Sequence, residues 1–169
     1  KFEQAICEYT GSKYAIAAVN GTSALHICLL LAGVKADEEV ITQPVSFIAT
    51  CNAISYTGAK PVFVDVDRRT MGMSAEKLED FLKENARKGA DGFTYNNKTG
   101  RRFAAVVPMH TFGHPCDLDG IVEVCERYNI ALVEDSAESI GSYYKGKHTG
   151  LFGKLSALSF NGNKVITTG

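Results

Sequence analysis

Three stretches of this chain carry residue types that could do chemistry, and each adjoins an apolar run. Ser159-Phe160-Asn161-Gly162-Asn163-Lys164 places one lysine beyond the strand-like residues 155–160, on a tight turn made by Asn161-Gly162-Asn163. An amine held in a cleft there can form a Schiff base with a carbonyl compound. On residue type alone it is a solvated turn lysine, so partners elsewhere must decide. Glu134-Asp135-Ser136-Ala137-Glu138 follows the apolar residues 130–133. Carboxylates at the end of a buried strand need a cation, a proton or hydrogen bonds to offset their desolvation. The alternative is Asp135 as a turn cap, with Glu134 and Glu138 in solvent. Gly21-Thr22-Ser23 lies between residues 14–19 and an apolar run. Backbone N–H groups at a helix start, with two hydroxyls beside them, can take a phosphate, although the same residues also serve plain helix capping. The stretch is neither a GxGxxG fingerprint nor a Walker loop.

Two further positions join these. Phe47, after Gln43-Pro44-Val45-Ser46, stands where an aromatic ring can stack on a flat heteroaromatic group or pack into the core. His110 follows residues 106–109, as a functional or a merely structural loop histidine. A metal site is disfavoured, because His26, His110, His114 and His148 are scattered without a matching carboxylate spacing. Taken together, the residues describe one ligand. Its phosphate is held by Gly21, Thr22, Ser23 and Ser159, its flat ring is covered by Phe47, its basic ring nitrogen is paired to Asp135, and its carbonyl carbon is within reach of Lys164. Pyridoxal 5'-phosphate has all four features.

The elements that must position these residues alternate between strand and helix. Residues 2–10 read as a short helix, 14–19 as a strand, and 24–32 as a helix apolar nearly all round and closed by Gly33. Strands follow at 39–42, 61–65, 103–109, 130–134 and 155–160, with helices at 46–56, 75–86 and 118–128. Ser74 and Asp117 are the expected caps of the last two helices. Residues 95–101 read as a surface hairpin or turn, and 141–147 as a hairpin turning at Lys145-Gly146. The order predicts an α/β fold, three layers α/β/α around a mainly parallel sheet, with ligands at the carboxyl ends of the strands.

Composition narrows the class of partner. With 18 basic and 19 acidic residues scattered along 169 positions, 45% hydrophobic and 22% charged, the chain has no basic tract for nucleic acid. No apolar run approaches the roughly 18 residues of a membrane span. Five cysteines without a CxxC pair read as reduced residues of a cytoplasmic protein. The chain opens on Lys1 and stops at Thr167-Thr168-Gly169, just after the lysine of interest, and is read as a portion of a longer protein.

The chain resembles the DegT/DnrJ/EryC1/StrS sugar aminotransferases, pyridoxal-phosphate enzymes of fold type I. The residues carrying the likeness are Asn20-Gly21-Thr22-Ser23-Ala24-Leu25, Pro44-Val45-Ser46-Phe47, Val133 through Gly141, and Ser159 through Lys164. Residues 95–100 and 107–115 further resemble the legionaminic-acid and bacillosamine type. That resemblance implies an incomplete large domain over residues 1–169, with a small C-terminal domain absent, and a homodimer sharing its active sites. It implies an amino group moved in ping-pong fashion from L-glutamate to C4 of a nucleotide-linked 4-keto-6-deoxy sugar. Lys164 would hold the cofactor covalently, Asp135 would bind its ring nitrogen, and Ser159, Thr22 and Ser23 its phosphate. Phe47 stands where many members carry tryptophan, and Glu138 where glutamine or histidine is common. A nonenzymatic nucleotide- or phosphate-binding α/β module and a truncated, inactive chain of the same fold are the alternatives; a sugar 3-dehydratase would carry histidine in place of Lys164.

Overall fold

In the computed structural model, which describes residues 1–168, five parallel strands form a sheet in the order β2-β1-β5-β6-β9. These are β1 (Glu39–Thr42), β2 (Lys60–Phe63), β5 (Phe103–Val107), β6 (Ala131–Asp135) and β9 (Leu155–Ala157). The intervening helices are α2 (Gly21–Ala32), α3 (Ile48–Tyr56), α4 (Ala75–Asn85) and α5 (Leu118–Tyr128), and α1 (Phe2–Thr10) opens the chain. Two antiparallel hairpins decorate it: β3 (Ala86–Lys88) with β4 (Thr94–Asn96), and β7 (Tyr143–Tyr144) with β8 (Lys147–His148).

Side chains alternate across a strand, and the core divides accordingly. Val40, Ala105, Val107 and Val133 face α2 and α3, packing with Leu25, Leu29 and Ile54. Ile41, Val106 and Leu132 turn to the opposite face with Leu78 and Leu82 of α4 and Ile121 of α5. Both faces of the sheet are covered, so every residue of β1 and β5 is buried and β5 reads as an unbroken apolar run. The same alternation sends the two carboxylates that end β6 in opposite directions. Asp135 follows Val133 toward α2 and α3, and Glu134 follows Leu132 toward the other layer.

Local signals account for several boundaries. Ser74 accepts the Lys77 N–H at 3.2 Å and caps α4. Gly33, at φ 95°, ends α2 in the left-handed region that glycine enters without strain. The β7–β8 hairpin turns at Lys145 and Gly146, both at positive φ.

Other expectations need correction. Residues 14–19 form no strand, and Tyr14, Ile16 and Val19 are 75–88% exposed. A β-rich composition makes a strand only where a neighbour completes its hydrogen-bond ladder, and among the described residues none lies alongside. Helix α2 is not buried all round, since Ile27, Leu30 and Leu31 are exposed. α3 begins at Ile48 rather than residue 46, and β9 ends at Ala157, so Ser159 lies beyond the strand. Asp117 makes no side-chain cap; its Oδ1 accepts the Tyr144 hydroxyl at 2.8 Å.

Candidate active site

The strand order reverses between β1 and β5, because β2 lies to one side of β1 while the next sheet strand in sequence adds on the other. Such a switch point opens a crevice at the carboxyl ends of the strands. The loop after β1 brings Ser46 and Phe47 to it, the loop after β5 brings Met109 to Gly113, and β6 ends there in Asp135.

Lys164 reaches this edge from the turn after β9. Its backbone N–H bonds Asn161 O at 2.9 Å, so the Asn161-Gly162-Asn163 turn is present as expected. Its Nζ donates to Glu138 Oε1 at 3.0 Å and lies 5.5 Å from the centre of the Phe47 ring. Glu138 is thus paired rather than solvated, and its Oε2 accepts the Phe112 N–H at 3.1 Å. To present that N–H, Phe112 adopts φ 51°, ψ 29°, a left-handed conformation costly for a bulky residue. Phe47, 59% exposed, does not pack into the core.

Asp135 is buried, at 5% exposure. Its Oδ2 accepts the Thr50 hydroxyl at 2.6 Å and its Oδ1 the Ala137 N–H at 3.2 Å. Burial pushes its carboxyl above the usual carboxylate range, while those two hydrogen bonds pull it back. A carboxylate has acceptor capacity for about four donors, so two leave room for a further one, and a cationic N–H would offset the desolvation as well.

On the other side of Phe47, α2 begins at Gly21. A Cβ there would lie 3.0 Å from Ser159 Cβ and 3.1 Å from its Oγ, so the absence of a side chain lets the helix start close against Ser159. Asn20, not Thr22 or Ser23, is the cap; its Oδ1 accepts the Ser23 N–H at 2.8 Å. That leaves the Thr22 and Ser23 hydroxyls outside the cap, and both residues line a cleft of about 430 Å³ with Phe47, Asn52 and Tyr56.

Glu134 and His110 turn out to be framework. Glu134 is fully buried; its Oε2 meets His110 Nε2 at 3.1 Å and the Gly150 N–H at 2.8 Å, and its Oε1 accepts the Phe152 and Gly153 N–H groups, each at 2.7 Å. Burial alone would raise its pKa, but the bonds from His110, Gly153 and Gly150 hold it below the ordinary range. Burial lowers the His110 pKa, but the contacts with Cys116 and Glu134 outweigh it and raise it to about 9. The Cys116 N–H, fixed in the backbone and aimed at Nδ1 at 3.3 Å, needs an acceptor there, and this geometry places the neutral ring's proton on Nε2, directed at Glu134.

Sequence reasoning missed two residues. Gln43 is fully buried with all four of its hydrogen bonds made: Nε2 to Val45 O and Thr111 Oγ1, Oε1 from the Met73 and Met109 N–H groups. It ties the loops after β1 and β5 together. Thr50, the other, is fully buried beside Asp135. Neither has a signal in its neighbours along the chain. Among the described residues no group of three or more His, Cys, Asp or Glu is placed to hold a metal ion.

A parallel α/β sheet with this edge is the fold of known aminotransferases. The structure of an aminotransferase from Psychrobacter cryohalolentis superposes with a TM-score of 0.84 at 36% identity, covering 99% of this chain and 38% of that one. NtdA from Bacillus subtilis, solved with bound cofactor PMP, gives 0.79 at 28% identity, covering 98% and 33%. The chain belongs to the DegT/DnrJ/EryC1/StrS aminotransferase family, whose sequence profile matches residues 1–169. GDP-perosamine synthase of Caulobacter vibrioides is 41% identical over 169 residues, which is 100% of this chain and 41% of that protein. The chain therefore spans about two fifths of the length of that curated relative.

Proposed function

We propose that the whole protein carrying this chain is a pyridoxal-5'-phosphate-dependent aminotransferase, with residues 1–169 as its cofactor-binding large-domain portion. In this reading it moves an amino group from L-glutamate to C4 of a nucleotide-linked 4-keto-6-deoxy sugar, in two half-reactions through one site, as in the legionaminic-acid and bacillosamine type. The observation that carries it is one edge holding a lysine amine, an aromatic face and a buried carboxylate with spare acceptor capacity. The name of the perosamine synthase supports a nucleotide-linked sugar, and the PMP bound to NtdA supports the cofactor. The glutamate donor and the C4 position rest on the family resemblance.

When bound, the cofactor supplies a carbonyl carbon for amines and a ring that accepts an electron pair. The residues of this chain do the rest. Lys164 Nζ would hold the group covalently at that carbon and, as a free amine, would take up and return the substrate proton as general base. Glu138, 3.0 Å from Nζ, holds the amine in place. Asp135 keeps the proton on the ring nitrogen, since an adjacent negative charge raises the pKa of a nitrogen. Gly21, Thr22, Ser23 and Ser159 take the phosphate at the α2 N-terminus, and Phe47 covers the ring. The site is completed in a cytoplasmic homodimer. The dimer rests on the family resemblance, and the compartment is supported by five free cysteines. A monomer in light scattering excludes the shared site.

Adding pyridoxal phosphate to the whole protein is expected to produce a visible absorbance that borohydride fixes covalently to Lys164. A protein that gives no reducible absorbance, yet binds nucleotides, is the nonenzymatic α/β module instead. Within the enzyme reading, Asp135→Asn is expected to cut turnover about a hundredfold, because an opposite charge at contact distance shifts a pKa by about 1–3 units and the amide supplies none. Asp135→Asn with turnover within about threefold of wild type, well below that shift, would remove Asp135 from its proposed role.

A further inference from the structure

We propose that Thr50 is a positioning residue for Asp135, its hydroxyl fixing the orientation and charge of that carboxylate for the ring nitrogen of the cofactor. The inference rests on the pyridoxal-phosphate reading above and adds a residue to it from the other side of the sheet edge. Thr50 lies in the first turn of α3, fully buried, with Oγ1 at 2.6 Å from Asp135 Oδ2. Its hydroxyl has a single proton, and two contacts decide where that proton goes. Of the three acceptors near the Ser46 hydroxyl, Thr50 Oγ1 is the nearest, at 2.9 Å against 3.3 Å for Phe47 O and 3.4 Å for Met109 Sδ, and an ionised Asp135 can only accept. The proton is left for Asp135, and a carboxylate that accepts a short hydrogen bond is favoured in its ionised form.

Geometry limits the alternatives. Threonine is β-branched and stiff about χ1, and in a helix its hydroxyl commonly bonds the carbonyl three or four residues back. Here it bonds a side chain 85 positions away instead. The backbone N–H of Thr50 is taken by Phe47 O at 3.1 Å, so the same residue tethers the Phe47 turn and the Asp135 carboxylate. Among the described residues the only other hydrogen-bond donor to the Asp135 carboxylate is the Ala137 N–H at 3.2 Å, a longer bond. Without the hydroxyl a carboxylate at 5% exposure would keep one donor and most of its desolvation, conditions that favour the protonated acid. A protonated Asp135 offers the ring nitrogen no charge.

The test compares Thr50→Val, which keeps the shape and deletes the hydroxyl, with wild type in cofactor affinity rather than in activity. Apo forms of the whole protein are titrated with pyridoxal phosphate and with its 1-deaza analogue, in which a C–H replaces the ring nitrogen. Hydrogen bonds to charged groups carry enough energy that Thr50→Val is expected to bind pyridoxal phosphate about 10- to 100-fold more weakly, with affinity for the analogue unchanged or improved. Equal weakening toward both ligands would show a packing role and overturns the proposal, as does no weakening toward either. Thr50→Ser and Thr50→Ala make the same comparison without valine's bulk. The serine variant is expected to bind as wild type does and the alanine variant to lose pyridoxal phosphate selectively, so a misfolded valine variant leaves the result readable. Wild type that binds no pyridoxal phosphate overturns the functional reading and this inference together. Wild type that binds it, with Thr50→Val indistinguishable, overturns this inference alone.

Discussion

Glu134→Leu is expected to lower the unfolding free energy by about 3–5 kcal/mol, since it leaves four hydrogen-bond donors without their acceptor. The loss follows from what Glu134 satisfies. Its two oxygens take the N–H groups of the half-buried Gly150, Phe152 and Gly153 and face His110 Nε2, which is out of water. Leucine fills the space and leaves those donors without acceptors, each unsatisfied buried group costing about 1–3 kcal/mol before relaxation. Because residues 150–153 lead directly into β9, their release also loosens the start of the strand that delivers Ser159 and Lys164. Denaturant unfolding measures the loss; a decrease below about 1 kcal/mol, the size of one ordinary hydrogen bond, would mean that Glu134 does not anchor this segment. The pH dependence has a definite sign. Glu134 is held below its ordinary value of 4.5, so its contribution is fully present above that value and is lost as pH falls through the depressed folded value. Glu134→Gln, which cannot titrate, should flatten that part of the acid limb while losing less stability at neutral pH than leucine does.

The sequence discloses the sheet edge because its chemistry is written locally. An apolar run followed by carboxylates, and another followed by Asn-Gly-Asn and a lysine, each state their own strand end, and both stand there in the structure. What each carboxylate does is not local. Glu134 and Asp135 look alike beside one another, and only the alternation of β6 sends Asp135 to Thr50 on the α3 layer and Glu134 to His110 and the 150–153 loop. Those partners lie 85, 24 and 16–19 positions away. Gln43 is silent for the same reason, since its four bonds close between loops that meet only once β1 and β5 pair. Residues 14–19 show the opposite failure. Their composition states a strand, but strand formation belongs to a pair, and no partner lies beside them among the described residues. The helix start near Gly21 is legible in the sequence, yet which residue caps it depends on Asn20 at an extended φ of -163°. The cap is Asn20, so the Thr22 and Ser23 hydroxyls stay outside it.

Lys164→Ala is expected to lower turnover by about four orders of magnitude or more while leaving the fold intact. General base catalysis alone contributes about 10²- to 10⁴-fold, and the proposed covalent role of the same amine adds to it. The fold is expected to survive, because Glu138, 27% exposed, is not left as a buried unpaired charge: water can take the place of the lost amine. Glu138 also keeps the Phe112 N–H when the lysine is gone. Unfolding measured beside turnover therefore separates lost chemistry from lost structure. Lys164→Arg sharpens the test, since the guanidinium can still pair with Glu138 and face Phe47 but stays protonated and cannot act as an amine nucleophile or base. If the ion pair were all that mattered, arginine would restore activity; if the free amine does the work, arginine is as inactive as alanine. In both variants borohydride should no longer fix pyridoxal phosphate to the protein, even where the cofactor still binds. Normal turnover in Lys164→Ala sinks the aminotransferase reading of this edge, because no other lysine approaches Asp135, Phe47 and Glu138 among the described contacts.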